Sequence, residues 1–191
     1  WHVGLPQGEA IVGTVSGTSI SFGSAATFES SSTVTYTATT FDSNSNKIVV
    51  AYRDGNNSGY GTAAVGTVSG TSISFGTPVV FEEADIEHVG IAFDSSVNKV
   101  VIGYRDTGNS DYGTSIAGTV SGTSISFETA VVYEQARATY NAGAFDSNSN
   151  KVVFVYTDGG NSSYGTGVVL TTSTIATTRA EVADGGNASV D

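Results

Sequence analysis

Apolar residues come in short runs along this chain, each closed by Gly, Ser, Asn or Asp, and the whole pattern repeats. The stretch Gly13-Thr-Val-Ser-Gly-Thr-Ser-Ile-Ser-Phe22 returns unchanged from Gly66 to Phe75 and from Gly118 to Phe127. Phe41, Phe93 and Phe145 recur in the same register, which sets a period of roughly 52 residues, the length scale of a supersecondary unit. Each copy predicts four short strands. The first covers residues 9–15, 62–68 and 114–120, and the second, after a Ser-Gly-Thr turn, covers 19–28, 72–81 and 124–133. The third spans 34–41, 88–93 and 140–145, and the fourth spans 47–52, 99–104 and 151–156.

Turn chemistry supports this division. Asp-Ser-Asn-Ser-Asn separates the third and fourth strands in copies one and three, with Asp94-Ser-Ser-Val-Asn98 in copy two. Such residues bond nearby backbone and tolerate left-handed conformations, so each pair is expected to be a hairpin. The fourth strand, for instance Lys151-Val-Val-Phe-Val-Tyr156, is apolar on consecutive residues, so both faces of its sheet are expected to be covered. The segments are therefore residues 1–8 as a lead-in, repeats at 9–60, 61–112 and 113–164, and a partial repeat with a divergent end at 165–191.

Four antiparallel strands per repeat, buried on both faces, predict an all-β fold of β-propeller-like blades, each its own small sheet. A stacked β-solenoid and a row of small sandwiches are the rivals. Three copies are too few for a closed ring, so the array needs further repeats, a second chain, or open end faces that meet neighbours. Self-association, as a homo-oligomer or a filament, is the expectation. A fourth copy of the first strand, Tyr164 to Leu170, would otherwise leave an edge that invites pairing.

Composition narrows the partners. The net charge of -11, from 18 acidic against 7 basic residues, argues against nucleic acid and anionic membranes, which need clustered Lys and Arg. No apolar run reaches the roughly 20 residues of a membrane-spanning helix, so membrane insertion is not expected. With no Cys there is no disulfide framework or thiolate metal site, and with no Met the chain is expected to be processed or part of something longer.

The combination Val12-Gly-Thr-Val-Ser-Gly-Thr-Ser-Ile-Ser-Phe-Gly23, then Phe41-Asp-Ser-Asn-Ser-Asn-Lys-Ile-Val-Val-Ala-Tyr-Arg-Asp54 and Gly55-Asn-Asn-Ser-Gly-Tyr-Gly-Thr62, resembles tandem repeats in long structural proteins of aquatic bacteriophages, above all the tail-fibre-like proteins of cyanophages. It covers about residues 9 to 170, and the tail at 179–191 is similar to the entry of a small β domain that follows such repeats. The resemblance implies a virion fibre or adhesion component, located extracellularly or on the virion, with no enzymatic activity.

Candidate site residues fall in two sets of connections. Between the fourth strand and the next first strand lie Asp54, Asn56 and Tyr60, then Asp106, Asn109 and Tyr112, then Asp158, Asn161 and Tyr164. Their one carboxylate per loop is thin for calcium, and they serve first as turn residues. The second set is the variable connection between second and third strands, with Glu82, Glu83, Asp85 and Glu87 in copy two and Arg137 in copy three. Such loops on one face suit a polar ligand such as a glycan. Catalysis is not expected: Asp42, Asp94 and Asp146 recur in register as turn residues, whereas a glycosidase needs two carboxylates about 5 to 10 Å apart. His2 and His88 do not recur, so neither nominates a base or a zinc site. Arg53 and Arg105 recur and are expected to form surface ion pairs, and no cofactor is implied. A free propeller lectin and a sialidase-like hydrolase are the alternative functions.

Overall fold

The computed structural model describes residues 7–30, 33–170, 177–182 and 188–190. The chain is all-β, with large antiparallel sheets and, among the described residues, a single 3-10 turn at Thr107–Asn109. The strands are β1 Gly8–Ala10, β2 Gly13–Ser16, β3 Ser19–Phe22, β4 Ala26–Glu29, β5 Val34–Asp42, β6 Lys47–Asp54, β7 Tyr60–Ser69, β8 Ser72–Phe75, β9 Val79–Asp94, β10 Lys99–Asp106, β11 Tyr112–Ser121, β12 Ser124–Phe127, β13 Val131–Asp146, β14 Lys151–Asp158, β15 Tyr164–Leu170, β16 Thr177–Val182 and β17 Ala188–Val190.

The turns form where their residues require. Asn46, Asn98 and Asn150 close the hairpins β5–β6, β9–β10 and β13–β14 at φ of 54°, 55° and 55°, the left-handed region that Asn tolerates. Asp42 accepts the N–H groups of Asn44 and Ser45, at 2.9 and 3.0 Å, and Asp94 and Asp146 accept equivalent bonds from Ser96 and Asn148. These three carboxylates therefore hold turns, as their register suggests. Strand β6 buries Val49, Val50, Ala51 and Tyr52 in succession, and β10 is buried from Val100 to Asp106, so both faces of these strands are covered.

The pairing departs from the expectation of separate four-stranded sheets. Strands β9 and β13 are each 16 residues long and run from the second predicted strand straight into the third predicted strand of the same copy. The first part of β9 pairs with β7 and its second part with β10; β13 divides in the same way between β11 and β14. One hydrogen-bonded path consequently runs from β5 to β17, with β8 and β12 attached to β7 and β11, and it closes into no barrel or ring among the described residues. Residues 82–87 and 134–138, expected to be loops, lie inside these long strands. The predicted second strand is also split, into β3 and β4 in copy one and into β8 and the start of β9 in copy two.

Consecutive copies are held together by their apolar faces. One cluster joins Val49, Ala51, Ala63 and Val65 to Ile91, Phe93, Val100 and Ile102, and a second joins Ala92 and Val101 to Val152, Phe154 and Tyr156. Since each cluster crosses a copy boundary, the copies depend on one another for burial.

Candidate ligand-binding ridge

A bulge recurs in the third strand of every copy. Residues 36–37, 88–89 and 140–141 each stand opposite a single partner residue, Tyr52, Tyr104 and Tyr156 respectively, because the register slips at that point. The first bulge residue is aromatic each time and has a left-handed backbone: Tyr36 at φ 50°, His88 at 51° and Tyr140 at 57°. Bulky residues rarely adopt this conformation, which costs on the order of 1–3 kcal/mol each. The three rings follow one another along the array in tilted contact, with centroids 5.1 Å apart from Tyr36 to His88 and 4.9 Å apart from His88 to Tyr140. Tyr36 is 40% exposed and Tyr140 74% exposed, so the column forms a ridge with one open end ring.

Beneath each bulge a buried tyrosine anchors the strand. The hydroxyl of Tyr52 donates to Glu29 at 3.2 Å, that of Tyr104 to Glu82 at 2.8 Å, and that of Tyr156 to Glu134 at 2.9 Å. Burial first, then the neighbouring glutamate, pushes the pKa of Tyr52 and of Tyr104 far up, so both hydroxyls remain donors. Copy three adds a lock between strands: the Asn141 side chain donates to the His88 carbonyl at 2.8 Å and accepts from Tyr133 at 2.7 Å.

Charged side chains flank the ridge. Arg53 Nε meets Asp85 at 2.6 Å, Arg105 pairs with Glu87 through Nη2 and lies 3.3 Å from Asp111 through Nε, and Glu87 is 3.8 Å from His88 Nε2. The Arg53 pair is partly exposed, as expected of a surface ion pair. Arg105 is instead buried, 7% exposed, with Nη1 lacking a hydrogen-bond partner. Burial lowers the His88 pKa, and Arg105 and Arg137 lower it further against the opposing pull of Glu87, so the ring is neutral near pH 7.

The sequence candidates divide between turn and ridge. Asp54 accepts the N–H groups of Asn56 and Asn57 at 3.1 and 3.3 Å, Asp106 that of Asn109 at 3.0 Å, and Asp158 those of Gly160 and Asn161 at 2.8 and 3.2 Å. All three carboxylates thus hold turns, and burial followed by Glu82 raises the pKa of Asp106. Tyr60, Tyr112 and Tyr164 open β7, β11 and β15, where Tyr60 pairs in register with Asp85 and Tyr112 with Arg137. Glu82, Glu83, Asp85, Glu87 and Arg137 require correction, since they sit on strands rather than loops. They extend because Glu82 has the Tyr104 hydroxyl to bind and Asp85 and Glu87 have arginines to meet. Of the candidates, Asp85, Glu87 and Arg137 come beside the ridge, and the turns join them at the same end: Gly159 N–H donates to the Arg137 carbonyl at 2.8 Å and Thr107 Oγ1 to the Asp85 carbonyl at 2.8 Å.

Tyr36, His88, Tyr140 and the buried Arg105 were not among the sequence candidates. The available signal was an aromatic ring five positions before Phe41, Phe93 and Phe145, which a search for identical residues passes over because one ring is histidine. His2 lies outside the described residues, and no group of three His, Asp or Glu gathers as a metal site among those described. Chemically, the ridge offers apolar ring faces beside carboxylates and guanidinium groups, a combination that packs against C–H surfaces while hydrogen-bonding polar groups. No family model, curated protein or solved structure matches the chain.

Proposed function

We propose that the chain is a non-enzymatic adhesion segment, a repetitive all-β scaffold that presents the Tyr36–His88–Tyr140 ridge to a cell-surface glycan. The aromatic column is the observation that carries this reading, because three rings with left-handed backbones recur in register and the two that flank the half-buried His88, Tyr36 and Tyr140, are exposed. Variation beside the column supports it further: the position occupied by Thr33 in copy one is Asp85 in copy two and Arg137 in copy three, so each step along the ridge offers different polar chemistry. The recurring aspartates hold turns, which favours binding over hydrolysis. Within the proposal the copies are blades of an open, propeller-like fan, with β5 and the second halves of β9 and β13 as neighbouring inner strands; the Asn141 bond to the His88 carbonyl supports that arrangement. Placement in a virion fibre or extracellular filament is supported by the sequence resemblance.

A glycan array probed with the labelled chain tests the proposal. Binding to a defined set of sugars, weakened at least tenfold by Tyr140→Ala without a change in melting temperature, is the expected result. Failure to bind any sugar, binding indifferent to Tyr36→Ala and Tyr140→Ala, or turnover of aryl glycosides would overturn it.

A further inference from the structure

One ten-residue sequence occurs three times in this chain and has a different environment each time. In copy three Ile125 is 3% exposed and Phe127 is half-buried; in copy two Ile73 and Phe75 are half-buried; in copy one Ile20 is 54% and Phe22 is 60% exposed. The difference cannot come from the residues, which are identical. It comes from what precedes them. Phe75 packs on Phe28 of the copy before it, with ring centroids 5.5 Å apart, and Phe127 packs on Phe81 of the copy before it, also at 5.5 Å. The turn of the same hairpin seats on a glycine of that preceding copy. A Cβ on Gly23 would lie 1.8 Å from the Thr71 carbonyl oxygen, and one on Gly76 would lie 1.9 Å from that of Thr123. Neither glycine has a positive φ, so space rather than backbone freedom demands it.

The third seat is different. Glu128 stands where Gly23 and Gly76 stand, and its N–H makes the same backbone bond, to Ala117 as theirs do to Val12 and Val65, each at 2.9 Å. By analogy with Gly23 and Gly76 its Cβ would collide with the carbonyl of a following turn, and its carboxylate pairs with Lys99 at 2.6 Å. The seat on copy three is thereby closed to another hairpin, while copy one shows an apolar face of Val15, Ile20 and Phe22, 72%, 54% and 60% exposed, next to Ile11. An exposed face of this kind marks an interaction site.

We propose that the outer face of copy one is a docking surface for a repeat of this same kind, one with glycine at the seat and an aromatic at the position of Phe28 and Phe81, and that Glu128 gives the array its direction by closing the matching seat on copy three. The occupant follows from continuity with an interface that this sequence already makes twice. The inference rests on packing and is independent of the glycan reading.

Opening the closed seat provides the test. Sedimentation velocity is run on the wild-type chain and on its E128G, E128A and E128G/F22S variants, with thermal melts to confirm folding. The expected result is a monomeric wild type, head-to-tail association of E128G at least tenfold stronger than wild type, and restored monomers in E128G/F22S. E128A removes the carboxylate but keeps a Cβ, so it is expected to stay monomeric. Association of wild type through Phe22, equal association of E128A and E128G, or a folded E128G that stays monomeric up to the solubility limit would each overturn the proposal.

Discussion

Replacing Gly76 with Ala places a methyl group 1.9 Å from the Thr123 carbonyl oxygen, a backbone atom that cannot swing aside. Real contacts keep such atoms at least 3.0 Å apart, so the β12 hairpin must lift by about 1 Å or more. Lifting it loosens Ile125, which is 3% exposed, and parts Phe127 from Phe81. Full burial of one such side chain is worth about 1.5–3 kcal/mol, so partial exposure of two, less a few tenths recovered from the lower chain entropy of Ala, costs about 2–3 kcal/mol. Urea unfolding followed by tryptophan and tyrosine fluorescence would show this as a lower midpoint at unchanged slope. Gly23→Ala meets the Thr71 oxygen at 1.8 Å but loosens only half-buried Ile73 and Phe75, so its loss should be smaller. A Gly76→Ala chain within about 0.5 kcal/mol of wild type would refute the reasoning, since that is the scatter of surface changes with no packing consequence.

Other outcomes follow from the same geometry. Tyr104→Phe removes the donor to the Glu82 carboxylate and should cost about 1.5 kcal/mol, the lower end for a bond to a charged, half-buried acceptor, by chemical denaturation; Tyr52→Phe, with its longer bond of 3.2 Å, should cost less. His88 has a folded pKa below its ordinary value, so the unfolded chain binds the proton more readily and stability must fall as pH drops from about 7 through the ordinary histidine range. His88→Tyr restores the residue type of Tyr36 and Tyr140 at the same backbone conformation, and its stability should be the flatter of the two between pH 7.5 and 5.5, when both are measured by urea unfolding at each pH; parallel curves would contradict the assignment. Amide hydrogen exchange should find the strand-internal N–H of Ile86 protected, because it donates to the Gly59 carbonyl at 3.1 Å, whereas loop-like exchange across residues 82–87 would contradict the long strand β9.

Local chemistry made the strands and hairpins legible. Gly17, Gly70 and Gly122 take φ of 59°, 59° and 63° in the Ser-Gly-Thr turns, and the Asn residues that close the other hairpins are left-handed as their type allows. What escaped was long-range. Glu82-Glu-Ala-Asp-Ile-Glu87 has the charge of a loop, and only partners 22 and 32 residues distant in sequence, Tyr104 and Arg53, make an extended conformation favourable there. The ridge escaped for a related reason: an aromatic at 36, 88 and 140 is visible in the sequence, but the bulge that gives each its left-handed backbone arises only in the pairing with the strand opposite. Three identical hairpins with three levels of exposure show the same limit from the other side, because burial there is set by the neighbouring copy and not by the residues themselves.

The ridge itself is tested most directly by amide NMR titration of the isotopically labelled chain with the glycan that an array selects. Shift changes confined to residues 33–37, 85–88 and 137–141 and the adjoining turns are expected. Saturation with those residues silent, or with the changes concentrated on the hairpin at 13–22, would contradict the account.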